Sequence, residues 1–166
     1  VYDRPGLQLY KALPPLVFEN SRYLFLVTMP SVKAEEAKLY FGDPSNHFWD
    51  VLSAIYDLPV NTKEEKLALC QQEKIAITSI VASCLRHMSE ADTMEEIQLN
   101  DIQGFLEAHP TIDTIICVSH RAKELLERSN YQGGCAIEYV PSPSGADLDY
   151  ESVDKLLPKY KEALGV

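Results

Sequence analysis

Long hydrophobic runs are missing from this chain of 166 residues. None approaches the ~20 apolar residues that a membrane-spanning helix requires, so no membrane partner is expected. Basic residues are scarce, with 15 Lys and Arg against 25 Asp and Glu and a formal net charge of −10. The imbalance is uneven: residues 1–33 carry +2, and the remaining 133 carry −12. Sequence-independent binding to nucleic acid draws its affinity from Lys and Arg on phosphates, which excludes a broadly basic binding surface but not a local basic lip. The four cysteines (Cys70, Cys84, Cys117 and Cys135) contain no CxxC pair, so neither a zinc site nor an iron–sulfur cluster is indicated. Free buried thiols suit a reducing compartment. The opening Val1-Tyr2-Asp3-Arg4-Pro5 lacks the apolar region of a signal peptide, and a cytoplasmic location is expected. No internal repeat or linker interrupts the chain. Residues 1–166 are read as one domain, expected to be a monomer and large enough to bury its own core.

What is present alternates. Tyr23 to Thr28, Ile75 to Ala82, Ile112 to Val118 and Ala136 to Val140 are apolar, β-branched runs of strand length. Helices are expected from about His47 to Tyr56, from a cap at Asn61 or Thr62 to Gln72, and from Asn100 to Ala108. Two more are expected from Ser119-His120 to Arg128 and from about Ser152 to Ala163. Thr62 with Glu65 fits a capping box. Val1 to Asn20 reads as an extended arm, Ser31 to Leu39 as a charged connection and Ser89 to Gln98 as an acidic loop. Strands alternating with helices predict an α/β fold: a three-layer α/β/α sandwich around a mostly parallel sheet of four strands. Ligands in such folds bind beyond the carboxyl ends of the strands. Thr28-Met29-Pro30-Ser31, the region after Val81, Ser119-His120 and Pro141 to Asp147 all fall there.

The most information-dense stretch is Tyr40-Phe41-Gly42-Asp43-Pro44-Ser45-Asn46-His47-Phe48-Trp49, which holds the only Trp. Gly-Asp-Pro-Ser-Asn reads as a turn, and Asn46 stands where a helix N-cap belongs. The residues leave alternatives open. Asn46 is a cap or a hydrogen-bonding group of a site, and Asp43 is a turn residue or a water-orienting carboxylate. Phe41 is core or a stacking face, and His120 a surface residue or a donor. Ser142 and Ser144 are loop residues or ligand contacts. Asp43, His47 and Asp50 could also serve a metal-dependent hydrolase, but no further His/Asp cluster supports it, so neither metal nor cofactor is expected.

A strand ending in Met29-Pro30-Ser31, the element Tyr40 to Trp49 and the later Val140-Pro141-Ser142-Pro143-Ser144-Gly145 together resemble the uracil-DNA glycosylase superfamily. The similarity is greatest to its hypoxanthine (deoxyinosine) DNA glycosylase-like branch, and it runs from Leu13-Pro14-Pro15 to the final helix. The resemblance implies a monofunctional DNA glycosylase of base-excision repair, hydrolysing the N-glycosidic bond of hypoxanthine or uracil flipped out of DNA. By position it implies Asn46 as catalytic, with Asp43 beside it. Thr28, Met29, Pro30, Phe41 and His120 would contact the base, with Phe41 stacking on it. Ser142, Pro143 and Ser144 would press into the duplex, with Lys33, Arg121 and Lys123 near the phosphates. Met29 stands where mismatch-type enzymes carry a water-positioning Asn, so that route is absent here, as it also is in the hypoxanthine-like branch. Ala76-Ile77-Thr78-Ser79 replaces an apolar-Trp-Asp pattern, and Ser45 a basic residue. Asp147, Asp149 and Glu151 put three carboxylates beside the second loop. These departures and the net charge leave an alternative: a glycosylase-fold protein without catalysis that serves as a nucleic-acid or protein binding module.

Overall fold

A computed structural model describes residues 8–86, 94–144 and 148–166. Four strands, β2 (Tyr23–Val27), β3 (Ile75–Ser79), β6 (Thr114–Val118) and β7 (Ala136–Val140), form a wholly parallel sheet in the order β3-β2-β6-β7. Alternation along β2 assigns its side chains to opposite layers, as the pleat requires. Phe25 and Val27 join one buried cluster with Phe48, Trp49, Leu52, Leu69, Leu156 and Tyr160. These come from helices α2 (Phe48–Tyr56), α3 (Lys63–Gln72) and α6 (Val153–Leu164). Leu24 and Leu26 join a second cluster with Ile102, Leu106, Ala122, Leu125 and Leu126, from α4 (Ile102–Ala108) and α5 (His120–Glu127). The expected three layers and four parallel strands are therefore present.

A second sheet was not foreseen. Strands β1 (Gln8–Lys11), β4 (Val81–Arg86) and β5 (Glu95–Leu99) pair antiparallel in the order β1-β4-β5. The run expected as one strand, Ile75 to Ala82, breaks at Ile80. There Ile80 N–H donates to Val27 and Val81 N–H to Thr28, turning the chain out of the parallel sheet. The lead-in is likewise partly a strand, and Leu16 adds an isolated bridge to Ile77; residues 1–7 of that arm lie outside the described residues. The acidic segment read as a loop contains β5, while its residues 89–93 fall outside the description.

Ser31 to Leu39 also departs from expectation. It holds a short helix, α1 (Val32–Ala37), capped by Ser31 Oγ on the Ala34 N–H. Thr62 and Glu65 make the expected capping box at α3. Asp101 rather than Asn100 caps α4, accepting from Gly104 N–H. Asn100 instead spends its side-chain amide on the Ser79 carbonyl at 2.8 Å, bracing the corner where the two sheets meet.

Candidate active site

One cavity of about 470 Å³ opens at the carboxyl end of β2 and β6. Its wall includes Thr28, Met29 and Pro30 after β2, Phe41 and Asn46 from the aromatic stretch, and Ser119 and Arg121 after β6. Ser142 and Ser144 from the loop after β7 complete that side. The parallel sheet explains this convergence, since every strand delivers its outgoing loop to the same edge.

The aromatic stretch is built around a stack. The Phe41 ring lies on Phe48 with centroids 3.8 Å apart and planes 15° from parallel. Phe48 is fully buried and meets Phe25 and Trp49 edge-on. Phe41 is therefore held by one face while it lines the cavity. Its backbone pays for this placement with φ at +59°, a left-handed conformation unfavourable for an aromatic residue. Trp49 Nε1–H donates to the Tyr40 carbonyl and closes the turn from behind.

Asn46 sits one residue ahead of the geometric N-cap, which is His47, and His47 makes no side-chain capping bond. Asn46 nevertheless does capping work: its Oδ1 accepts from Phe48 N–H at 2.9 Å. That bond identifies which end of the amide is oxygen. The Nδ2 end makes no hydrogen bond among the described residues and belongs to a side chain that lines the cavity.

The opposite loop is tied to this one through the backbone, because His47 N–H donates to the Pro143 carbonyl at 2.9 Å. Pro143 is buried and its ring is not part of the cavity wall, whereas Ser142 and Ser144 are, with Ser142 Oγ donating to Ser144 Oγ at 3.2 Å. Ser119 adopts φ +118° and ψ 158°, a region otherwise kept for glycine. Its Oγ accepts from Ala122 N–H to cap α5 and shares a 3.4 Å hydrogen bond with Thr28 Oγ. Two strained residues, Phe41 and Ser119, thus face one cavity.

Several expected site residues lie off the wall. Asp43 Oδ1 accepts from both the N–H and the hydroxyl of Ser45, at 3.0 and 2.9 Å. The Ser45 N–H chiefly holds the carboxyl below its usual value; burial opposes it, and the Ser45 hydroxyl and Lys33 add lesser downward pulls. His120 is exposed and stacks on Tyr139 at 4.3 Å. Lys33 is exposed on α1. Arg121 reaches the wall, leaning on Glu124 at 3.6 Å. Of the acidic residues after the second motif, Asp147 is outside the described residues. Glu151 pairs with Lys155 at 3.4 Å. Among the described residues, no group of three or more His, Cys, Asp or Glu could hold a metal ion, and His47 and Asp50 do not line the cavity.

The residue that sequence reasoning missed is Arg86. It is 2% exposed yet lines the cavity, at the end of β4 in the unforeseen sheet. Its Nη2 donates to the Pro30 carbonyl at 2.7 Å, and its guanidinium lies 4.7 Å from the Tyr10 ring centroid. Among the described residues, its Nε–H is buried without an acceptor, and Oε1 of Glu35 is buried without a hydrogen-bond partner. Burial pushes the Glu35 carboxyl up, and the Arg86 charge opposes that shift only in part. An arginine closing an apolar run is the one hint the sequence contained.

No family model matches the chain. A curated hypoxanthine DNA glycosylase of Methanosarcina acetivorans is 25% identical over 139 residues, covering 82% of this chain and 87% of the relative. A hypoxanthine DNA glycosylase of Methanosarcina barkeri is 22% identical over 108 residues, covering 64% of this chain and 68% of the relative. A solution NMR structure from Methanosarcina acetivorans, provisionally named a uracil DNA glycosylase, superposes with a TM-score of 0.77 over 96% of both chains at 22% identity.

Proposed function

We propose, starting from a chain that resembles the uracil-DNA glycosylase superfamily and its hypoxanthine-glycosylase-like branch in sequence and in fold, that this protein is a DNA glycosylase acting on a deaminated base, hypoxanthine or uracil. The observation that carries the reading is the cavity where the half-free amide of Asn46 stands beside a ring fixed by one face. A base extruded from DNA needs a flat wall to lie on and donors aimed at its edge. In the reaction a water oxygen bonds to C1′ of the sugar as the C1′–N bond breaks. The bonding pair leaves with the base, which takes up a proton, and the water loses one. Negative charge therefore grows on the base, and a preplaced neutral donor such as Asn46 Nδ2–H favours that charge without reorganising. Phe41 supplies the stacking face, while Thr28, Met29 and Pro30 form the floor. The loop of Ser142 to Ser144 approaches the duplex, with Arg121 on the cavity wall and exposed Lys33 on α1 as the cations offered to phosphate. Asp43 supports the turn that presents Asn46 rather than the chemistry, and His120 stands outside the base contacts.

The net charge of −10 favours the second reading, a binding module that has lost catalysis. Oligonucleotides carrying hypoxanthine, uracil or xanthine, in single and double strands, separate the two. Release of free base with an alkali-labile abasic site is the expected result for at least one of the deaminated bases. Failure of an excess of folded protein to release any of them would refute the enzyme.

A further inference from the structure

The cavity wall that leaves β2 is held by its carbonyls. Val27 C=O accepts from Ile80 N–H at 2.8 Å and Thr28 C=O from Val81 N–H at 3.1 Å, at the corner between β3 and β4. Pro30 C=O accepts from Arg86 Nη2–H at 2.7 Å, from the far end of β4. Pro30 has no N–H of its own, so this is the one hydrogen bond its backbone makes among the described residues. The peptide bonds described are all trans, and each plane therefore carries its N–H opposite its C=O. The Met29 and Ser31 N–H groups thus point away from the atoms that hold Thr28 and Pro30. Neither N–H has an acceptor among the described residues, and both residues line the cavity.

Arginine is a poor choice for that bond if stability alone is at stake. Arg86 is 2% exposed, and its guanidinium carbon lies over the Tyr10 ring, 4.7 Å from the centroid. Its side chain makes one hydrogen bond among the described residues, the one to Pro30. Glu35 is the opposite charge nearby, yet no hydrogen bond joins the two among the described residues. A buried charge without a bonded counter-charge weakens a fold, and a well-packed apolar side chain often does better in its place. What the guanidinium adds is a rigid, charge-assisted hold on one carbonyl. Resting on the glycosylase reading of the same cavity, we propose that Arg86 is a positioning residue: through the Pro30 carbonyl it fixes the Pro30–Ser31 peptide, and so presents the Ser31 N–H to an acceptor on the base. Uracil and hypoxanthine both carry such an acceptor, a ring carbonyl. Arg86 itself touches neither.

Nitrogen-15 spectra of the full chain, titrated with free uracil and free hypoxanthine, read the Ser31 amide without cleavage or DNA. With at least one of the two bases the Ser31 signal should move on binding. No binding of either base at millimolar concentration, or a Ser31 signal that stays put at saturation, overturns the proposal. Arg86→Met, checked for fold by circular dichroism, should bind that base about three- to tenfold more weakly, the worth of one hydrogen bond, and lose most of the Ser31 shift. Arg86→Lys, which can still donate to the Pro30 carbonyl, should recover part of both. A purely structural arginine would lower the melting temperature and leave the affinity and the Ser31 shift of the folded variant unchanged; that result also overturns the proposal. Should neither variant fold, the wild-type Ser31 signal still decides. Parallel cleavage assays keep the two readings apart. An Arg86-dependent Ser31 shift without base release removes the enzyme and leaves the positioning role; base release with a Ser31 shift indifferent to Arg86→Met does the reverse.

Discussion

Replacing Asn46 with Asp should separate the two tasks of its side-chain amide. Oδ1 of the wild type accepts from Phe48 N–H at 2.9 Å at the start of α2. An Asp oxygen can take that bond over, and its negative charge suits the positive end of a helix. Stability near neutral pH should therefore hold or rise by ~0.3–1 kcal/mol. The same substitution deletes the Nδ2–H donor and puts a carboxylate where charge develops on the leaving base. Removal of a single preplaced donor of this type costs on the order of 10²–10³ in rate, so a loss of at least that size is expected. Asn46→Ala should lose a similar factor in rate but also ~1 kcal/mol of stability, because it removes the bond to the helix start. Single-turnover base release with enzyme in excess isolates the chemical step, and urea melts run alongside report the fold. Full activity in a folded Asn46→Asp enzyme would refute the donor assignment. Equal destabilisation by both changes would refute the Oδ1 to Phe48 bond.

Four further outcomes can be checked. Asp43→Ala should leave single-turnover rates within a few-fold of wild type, because among the described residues the carboxylate bonds only Ser45. Its folded carboxyl lies below the usual 3.8, so its stabilisation is complete above that pH and is lost as pH falls through the lower folded value. Acid unfolding curves of the variant should accordingly be flatter than wild type below pH 3.8. Phe48→Ala removes a fully buried ring that touches Phe25, Phe41 and Trp49, and should cost ~3–5 kcal/mol in denaturant unfolding. Phe41→Gly relieves a positive φ worth ~1–2 kcal/mol but forfeits the stack, so melting should shift little while the affinity for free base falls. Arg121→Ala should reduce the slope of log affinity against log salt by about one for duplex DNA, and an unchanged slope would remove it from the phosphate contacts.

The parts legible in the sequence were those governed by apolar periodicity. Phe25 and Leu26 alternate between two buried faces because β2 is central, and such runs signal themselves. The missed elements are polar or short. Val32–Ala37 has six residues with two Glu and a Lys, too brief to show a face. Glu95–Leu99 buries none of its side chains fully, so its Ile97 and Leu99 carry a faint period. The cavity's sheet edge followed from topology, but Arg86 could not be placed there. Its burial depends on β1 and β4 pairing across more than seventy residues, which leaves no local trace.

The bond from His47 N–H to the Pro143 carbonyl is made by main-chain atoms alone. Drift at position 47 cannot remove it by ordinary substitution; proline is the one residue that takes the donor away. The two loops are therefore coupled by a link that residue-by-residue alignment does not register, so relatives could share it with no identity at either position. Engineers working on this scaffold can change the side chains at positions 47 and 143 without touching the link itself, provided that position 47 keeps its amide hydrogen and loop length is held.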